Sequence, residues 1–305
     1  MSSDIDIRPS TAIIIIVFFV LLLGARFWAY GQSVSIAGFS YLHTHPDGDT
    51  VALLNGALYR FNESDALVSR TDLVPLGVPR GQVSDFAWFS NGDMLIRQGR
   101  RDDGLMANLE RFQRKTNLSP EDAANTQALL VRCTGEPPQC SPFATQPLNL
   151  NDVFALDIDQ DTDRVFIADT SRHKVYLYSS DGHEIDRIDS GLKFPNQLTF
   201  KDGTLYVANT NRHQISAYRV DDTGFAADVS SISVTPGEAV SAGRKWPAAF
   251  LFLGQNLWVI NATSSMDHGG IYLFDTGNDY EYSYQADEPE DADPVALVRH
   301  GEQIL

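Results

Sequence analysis

The string RVFIADTSRHKVYLY (Arg164–Tyr178) aligns without a gap on TLYVANTNRHQISAY (Thr204–Tyr218), and this repeat at an offset of 40 residues constrains the fold more than any other feature. Ala168 falls on Ala208, Asp169 on Asn209, Thr170 on Thr210, Arg172 on Arg212 and His173 on His213. Weaker copies extend the register, with FAWFSNGDMLI (Phe86–Ile96) before the pair and FLFLGQNLWVIN (Phe250–Asn261), then GIYLF (Gly270–Phe274), after it. Each copy reads strand, tight turn, strand, polar loop, strand. A four-stranded unit this small cannot bury both of its faces, so neighbours stack and the array curves closed. The expected fold is all-β, a β-propeller with units near 33–78, 79–150, 151–192, 193–243 and 244–291 and a sixth opening at Asp293. That makes a six-bladed ring whose last blade is incomplete in this chain, either by truncation or by borrowing strands from Ser33–Phe39. Ile167, Val207 and Val259 are expected at equivalent positions between blades.

Composition supports a large core and narrows the partners. Of 305 residues, 43% are hydrophobic, which argues against disorder, and 23 Lys and Arg against 40 Asp and Glu give a net charge of −17. A phosphate backbone is repelled by such a field, so nucleic acid is not an expected partner. Ala12–Tyr30 is a 19-residue stretch interrupted only by Arg26, with Phe27, Trp28 and Tyr30 suited to an interface. It is expected to be one N-terminal transmembrane helix that tethers the protein to the membrane; cleavage after Gly31 would instead release a secreted protein. Residues 1–31 are thus a tail with an anchor or signal segment, and 32–305 the propeller. Cys133 and Cys140, the only cysteines, flank the turn-forming string TGEPPQ. A disulfide between two short strands is expected there, which places the propeller outside the cytoplasm, periplasmic or extracellular. A reduced pair is the alternative, and a zinc site lacks a second ligand pair nearby. A brief helix is expected at Pro120–Ala128.

Chemistry in a propeller belongs to the funnel, where innermost strands meet. Aligning turn glycines and strand residues puts Asp85, Asp152 and Asn196 at the starts of innermost strands. Three such oxygen donors could hold a divalent cation such as calcium; the alternative is that they accept backbone hydrogen bonds in the turns. Asp157, Asp159, Asp161 and Asp163 alternate as in calcium loops, but Thr162 and Ala168 stand where an EF-hand needs Gly and Glu, and a solvated hairpin is expected. His43 and His45 share one strand face, with Asp47 and Asp49 behind, and read as an exposed hairpin. The repeated Asp169/Asn209 and Arg172/Arg212 are expected to brace turns and adjacent blades. The run DEPEDADP (Asp287–Pro294) reads as a solvated acidic loop. The chain has no G-x-S-x-G, H-E-x-x-H, C-x-x-C or phosphate-binding glycine loop.

The Asp-x-x-x-His repeat with its following aliphatic-aromatic strand, preceded by FPNQLTF (Phe194–Phe200), resembles NHL repeats. More distantly, the chain is similar to the gluconolactonase-like six-bladed propellers, a resemblance that implies a metal held by Glu, Asn and Asp on inner strands. On that resemblance Asn196 and either Asp152 or Asp85 fill two of the places, while Phe39 and Ser40 stand where the Glu belongs. The function expected is a membrane-tethered extracytoplasmic module that binds a protein or a small-molecule ligand. The alternatives are a metal-dependent lactone hydrolase with its site in the funnel and, third, a lyase using a funnel metal.

Overall fold

Short strands joined by tight turns pair with their sequence neighbours, and the chain does this five times over. The computed structural model describes residues 41–54, 56–73, 76, 83–98, 130–135, 137–144, 153–170, 172–234, 246–253, 256–262, 270–275, 280–284, 297, 299–300 and 303–304. The chain divides into two units, Met1–Phe39 and Ser40–Leu305, and these residues belong to the second. The segment 1–31, Asp152, the helix expected at 120–128 and the acidic run 287–294 lie outside the described residues. Among the described residues no helix is long and apolar enough to cross a membrane.

Among the described residues five antiparallel four-stranded sheets follow one another, each paired strictly in chain order. The first holds β1 (Tyr41–Thr44), β2 (Thr50–Leu54), β3 (Ala57–Phe61) and β4 (Leu67–Asp72); the second, β5 (Val83–Trp88), β6 (Met94–Gln98), β7 (Leu130–Thr134) and β8 (Gln139–Pro142). The third runs β9 (Val153–Ile158), β10 (Val165–Asp169), β11 (Lys174–Tyr178) and β12 (Glu184–Ile188); the fourth, β13 (Pro195–Lys201), β14 (Thr204–Asn209), β15 (Gln214–Asp221) and β16 (Gly224–Ser233). The fifth holds β17 (Trp246–Leu253), β18 (Asn256–Ala262), β19 (Gly270–Asp275) and β20 (Tyr280–Tyr284), and a two-stranded pair follows, β21 (Arg299–His300) with β22 (Gln303–Ile304). First strands of successive sheets touch, β1 with β5, β5 with β9, β9 with β13 and β13 with β17, so they line the axis, and β21 returns to β1. This is an all-β propeller.

The repeat explains the packing. Successive side chains of a strand point to opposite faces, and in β10 both faces are covered, which is why VFIA is apolar throughout. Val165 and Ile167 pack with Leu95 and Leu130 of the blade before, whereas Phe166 and Ala168 pack with Leu198 and Val207 of the blade after. Ile167, Val207 and Val259 are all fully buried between successive blades, as the repeat requires. Gly182, at φ +83°, lets the β11–β12 turn touch the second blade: a Cβ there would stand 2.7 Å from that of Ala144. At the far side of the ring Leu297 packs on Ala249 and Ile260, while the Arg299 carbonyl accepts from Thr44 Oγ1 at 3.3 Å. Cys133 and Cys140 are cross-strand partners in β7 and β8 and are disulfide-bonded.

Slipping any of these strands by one residue would reverse its two faces, so the interblade layers fix the register. Val207→Asp is expected to cost more than about 4 kcal/mol, since the carboxylate would be buried between sheets without a partner. Urea unfolding of the variant should show no cooperative native baseline; a midpoint near the parent's would disprove the stacking.

Candidate functional site

The inner strands carry a chain of polar joints from blade to blade. Asp85, on β5, is 4% exposed. Its Oδ1 accepts the Phe86 N–H at 2.9 Å and faces His43 Nε2, on β1, at 2.6 Å; its Oδ2 accepts the Leu156 N–H of β9 at 2.8 Å. One blade on, Asp157 accepts the Ile158 N–H at 2.9 Å and, across to β13, the Phe200 N–H at 2.7 Å. One blade further, Gln197 donates through Nε2 to the Phe250 carbonyl of β17 at 3.1 Å and accepts the Phe250 N–H. His43 keeps 31% of its side-chain surface and lies edge-on to Phe86, ring centres 4.7 Å apart.

These groups share one field. Burial raises the Asp157 carboxyl from its ordinary 3.8 to about 6, against its two backbone hydrogen bonds and the attraction of His43. Burial works to lower the His43 imidazole, but the charge and hydrogen bond of Asp85, with the charge of Asp157, leave it above its ordinary value. Both groups therefore favour proton uptake by the folded protein.

Two of the three expected site residues can be placed. Val83, Val153 and Pro195 open their inner strands and Pro247 is the second residue of β17, and an irregularity in register follows each of the four. Asp85 stands two residues past that opening and Asn196 one past it, inside the irregularity, so they do not share a rung. Asp152, which precedes Val153, lies outside the described residues. Asn196 Oδ1 is buried without a hydrogen-bond partner among the described residues. A calcium ion takes about 6–8 oxygen ligands, yet both oxygens of Asp85 and of Asp157 are turned to backbone donors. Among the described residues no group of three or more His, Cys, Asp or Glu is placed to hold a metal ion.

The repeated residues serve the repeat. Thr170 Oγ1 donates to the Pro195 carbonyl of the next blade at 2.5 Å, and Thr210 Oγ1 repeats this with Pro247 at 2.7 Å. Asn209 Oδ1 accepts the Lys193 N–H at 2.7 Å, and its Nδ2 donates to the Gly191 carbonyl and Ser216 Oγ, both at 3.0 Å. Phe194 N–H donates to His173 Nδ1 at 3.1 Å, while His213 lies edge-on to Trp246. In the acidic hairpin Asp159 accepts from Asp161 N–H and Thr162 Oγ1, and Asp163 reaches across to Ser90 of the second blade. Asp157 and Gln197 were not singled out from sequence as funnel residues; the signal for Asp157 is a polar side chain in the otherwise apolar strand VFALDI, and Gln197 has none, since its strand PNQLTFK is mixed.

The sign of the Asp157 effect can be tested. A carboxyl with a folded value near 6 and an unfolded value near 3.8 stabilises the fold as it protonates, so its contribution grows as pH falls through about 6 and is complete below about 4. The upper bound is about 3 kcal/mol. Between pH 7.5 and 4 the parent should gain stability relative to Asp157→Asn, read by urea unfolding, with the change setting in near pH 6. Parallel pH profiles would show that Asp157 is not the group taking up the proton.

No protein-family model matches the sequence, and no curated protein does. Among solved structures, selenomethionine-substituted virginiamycin B lyase from Staphylococcus aureus is similar at 12% identity and a TM-score of 0.54, over 88% of this chain and 76% of that one. A nidogen/laminin complex is similar at 11% identity and 0.56, over 84% and 82%. The β-propeller domain of Cps50 (Swd1) from Myceliophteria thermophila is similar at 10% identity and 0.50, over 87% and 91%. At such identities the likeness reaches the fold and stops there: the chain is an all-β propeller.

Proposed function

We propose that this chain is a membrane-tethered, extracytoplasmic propeller that binds a protein or small-molecule ligand, built on NHL-like repeats and closed by a sixth blade of which β21 and β22 are the opening strands. The observation that carries the binding reading is the use made of the inner-strand acids: Asp85 and Asp157 are joints between blades, their oxygens committed to backbone N–H groups. The paired cysteines support an oxidising compartment, and the apolar run Ala12–Tyr30 supports a tether.

One observation favours the enzyme alternative. His43, part-exposed and held at 2.6 Å from the buried Asp85, has the build of an oriented acid or base. In that second reading, hydrolysis or elimination in the funnel runs through His43 with Asp85 as its positioning residue. Fold likeness extends to a lyase and to a nidogen/laminin complex, and so does not choose between the readings.

Two measurements on the full-length chain test the proposal. Protease and a membrane-impermeant maleimide are added to intact cells; the propeller should be digested from outside, and Cys133 and Cys140 should label only after reduction. Labelling of both without reduction would refute the disulfide, and protection of the propeller from protease, with neither cysteine labelled even after reduction, would refute the compartment. The full-length protein is also assayed on lactones and on virginiamycin B with Ca²⁺ or Mg²⁺. No turnover is expected, whereas turnover that falls by about 10²-fold or more in His43→Gln would establish the enzyme reading.

A further inference from the structure

Away from the funnel, a cleft of about 160 Å³ opens between the first and second blades. Its apolar wall is built by Val51 and Leu58 of the first blade and by Trp88, Met94 and Cys133 of the second, side chains that are at most 9% exposed. Two hydroxyl residues of β4, Ser69 and Thr71, continue the first blade's side of the cleft, as cross-strand neighbours of Arg60 and Leu58. The volume is that of a cavity able to hold one benzene ring, for which about 150 Å³ is enough. An indole beside the Met94 thioether suits an aromatic guest, since thioether sulfur and ring edges attract.

The ionisable side chains at the cleft are basic ones held by acidic neighbours. In a protein of net −17, the ionisable side chains that line the cleft are Arg60 and His45, both potential cations. Their carboxylate partners hold them in place without lining the cleft: Arg60 Nε donates to Asp49 Oδ2 at 2.5 Å and its Nη2 to Asp47 Oδ2, while His45 Nδ1 pairs with Asp47 Oδ1. His45 is further fixed edge-on to Trp88, ring centres 4.9 Å apart. A guanidinium carries five N–H donors. The two bonds to Asp47 and Asp49 leave donors over, among the described residues, for a bound acceptor. A pre-oriented guanidinium beside an apolar slot is the arrangement that recognises a carboxylate attached to a small hydrophobic body.

We infer that this interblade cleft binds a small aromatic carboxylate, its ring against Trp88 and Met94 and its carboxylate on Arg60. The site is separate from the funnel, so its test is independent of the function proposed above. The cluster His45, Asp47 and Asp49, visible in the sequence as an exposed hairpin, thereby gains a role as the frame that aims Arg60.

The test uses the full-length protein in detergent and ligand-observed NMR titration with benzoate and phenylacetate. Saturable binding on the order of 1 mM is expected for so small a ligand, with benzyl alcohol, which lacks the charge, at least about tenfold weaker. Arg60→Gln should weaken benzoate by about tenfold or more and leave benzyl alcohol unchanged. Ser69→Trp, on an exposed edge position, should fill the cleft and abolish both. If Arg60→Gln fails to fold, Ser69→Trp and the alcohol comparison decide. Absence of saturable benzoate binding, equal binding of acid and alcohol, or full binding by Ser69→Trp overturns the inference. Tighter binding of N-acetylphenylalanine than of phenylacetate would assign the cleft to a peptide C-terminus instead and overturn the free-acid form.

Discussion

A ring of separate sheets leaves every innermost strand with a hydrogen-bonding partner on one side only, and the unpaired edge faces its neighbours around the axis. Buried backbone N–H groups left without acceptors are costly, so a propeller must find acceptors for them. Here they come from side chains of the preceding blade: Asp85 for Leu156, Asp157 for Phe200, Gln197 for Phe250. The same joints hold each blade at a set angle to the next. Threonines at the ends of the second strands add a parallel set of clamps through Thr170 and Thr210. Apolar layers between blades supply the bulk of the stability, but it is the polar joints that fix which residue of one blade meets which residue of the next.

Much of this was legible in the sequence where two copies of the motif could be compared. The blade boundaries, the equivalence of Ile167, Val207 and Val259 and the pairing of Cys133 with Cys140 all follow from periodicity and from the turn between the cysteines. The start of the inner strands was not legible. An irregularity in register follows Val83, Val153, Pro195 and Pro247, and a register read from turn glycines drifts across it by one or two residues. That is why Asp85 and Asn196 looked equivalent and are not. Asp157 was hidden for a different reason: it belongs to a run of alternating aspartates, and only the fold shows that the first of the four turns to the neighbouring blade while the next two serve the hairpin.

The His43–Asp85 contact sits at the meeting point of two demands. Asp85 serves the backbone donors of Phe86 and Leu156, and the same carboxylate holds the His43 imidazole. An architectural joint and a reactive pair can therefore have the same geometry, and the difference between them lies in what else approaches His43. The interblade cleft shows the complementary principle. Asp47 and Asp49 do not line the cleft; they hold Arg60 and His45, which do.

The disulfide has a mechanical consequence for a protein drawn out by its ends. Cys133 and Cys140 are seven residues apart, yet their Cα atoms lie 4.0 Å from each other. Fully extended, that segment would span about 24 Å, so the crosslink withholds about 20 Å of contour from any pulling force. It does so inside a single hairpin and ties no blade to another. Under tension the oxidised chain can lose its ring while β7 and β8 stay joined, and reduction would show as a slightly longer unfolded chain with no change in the order in which blades separate.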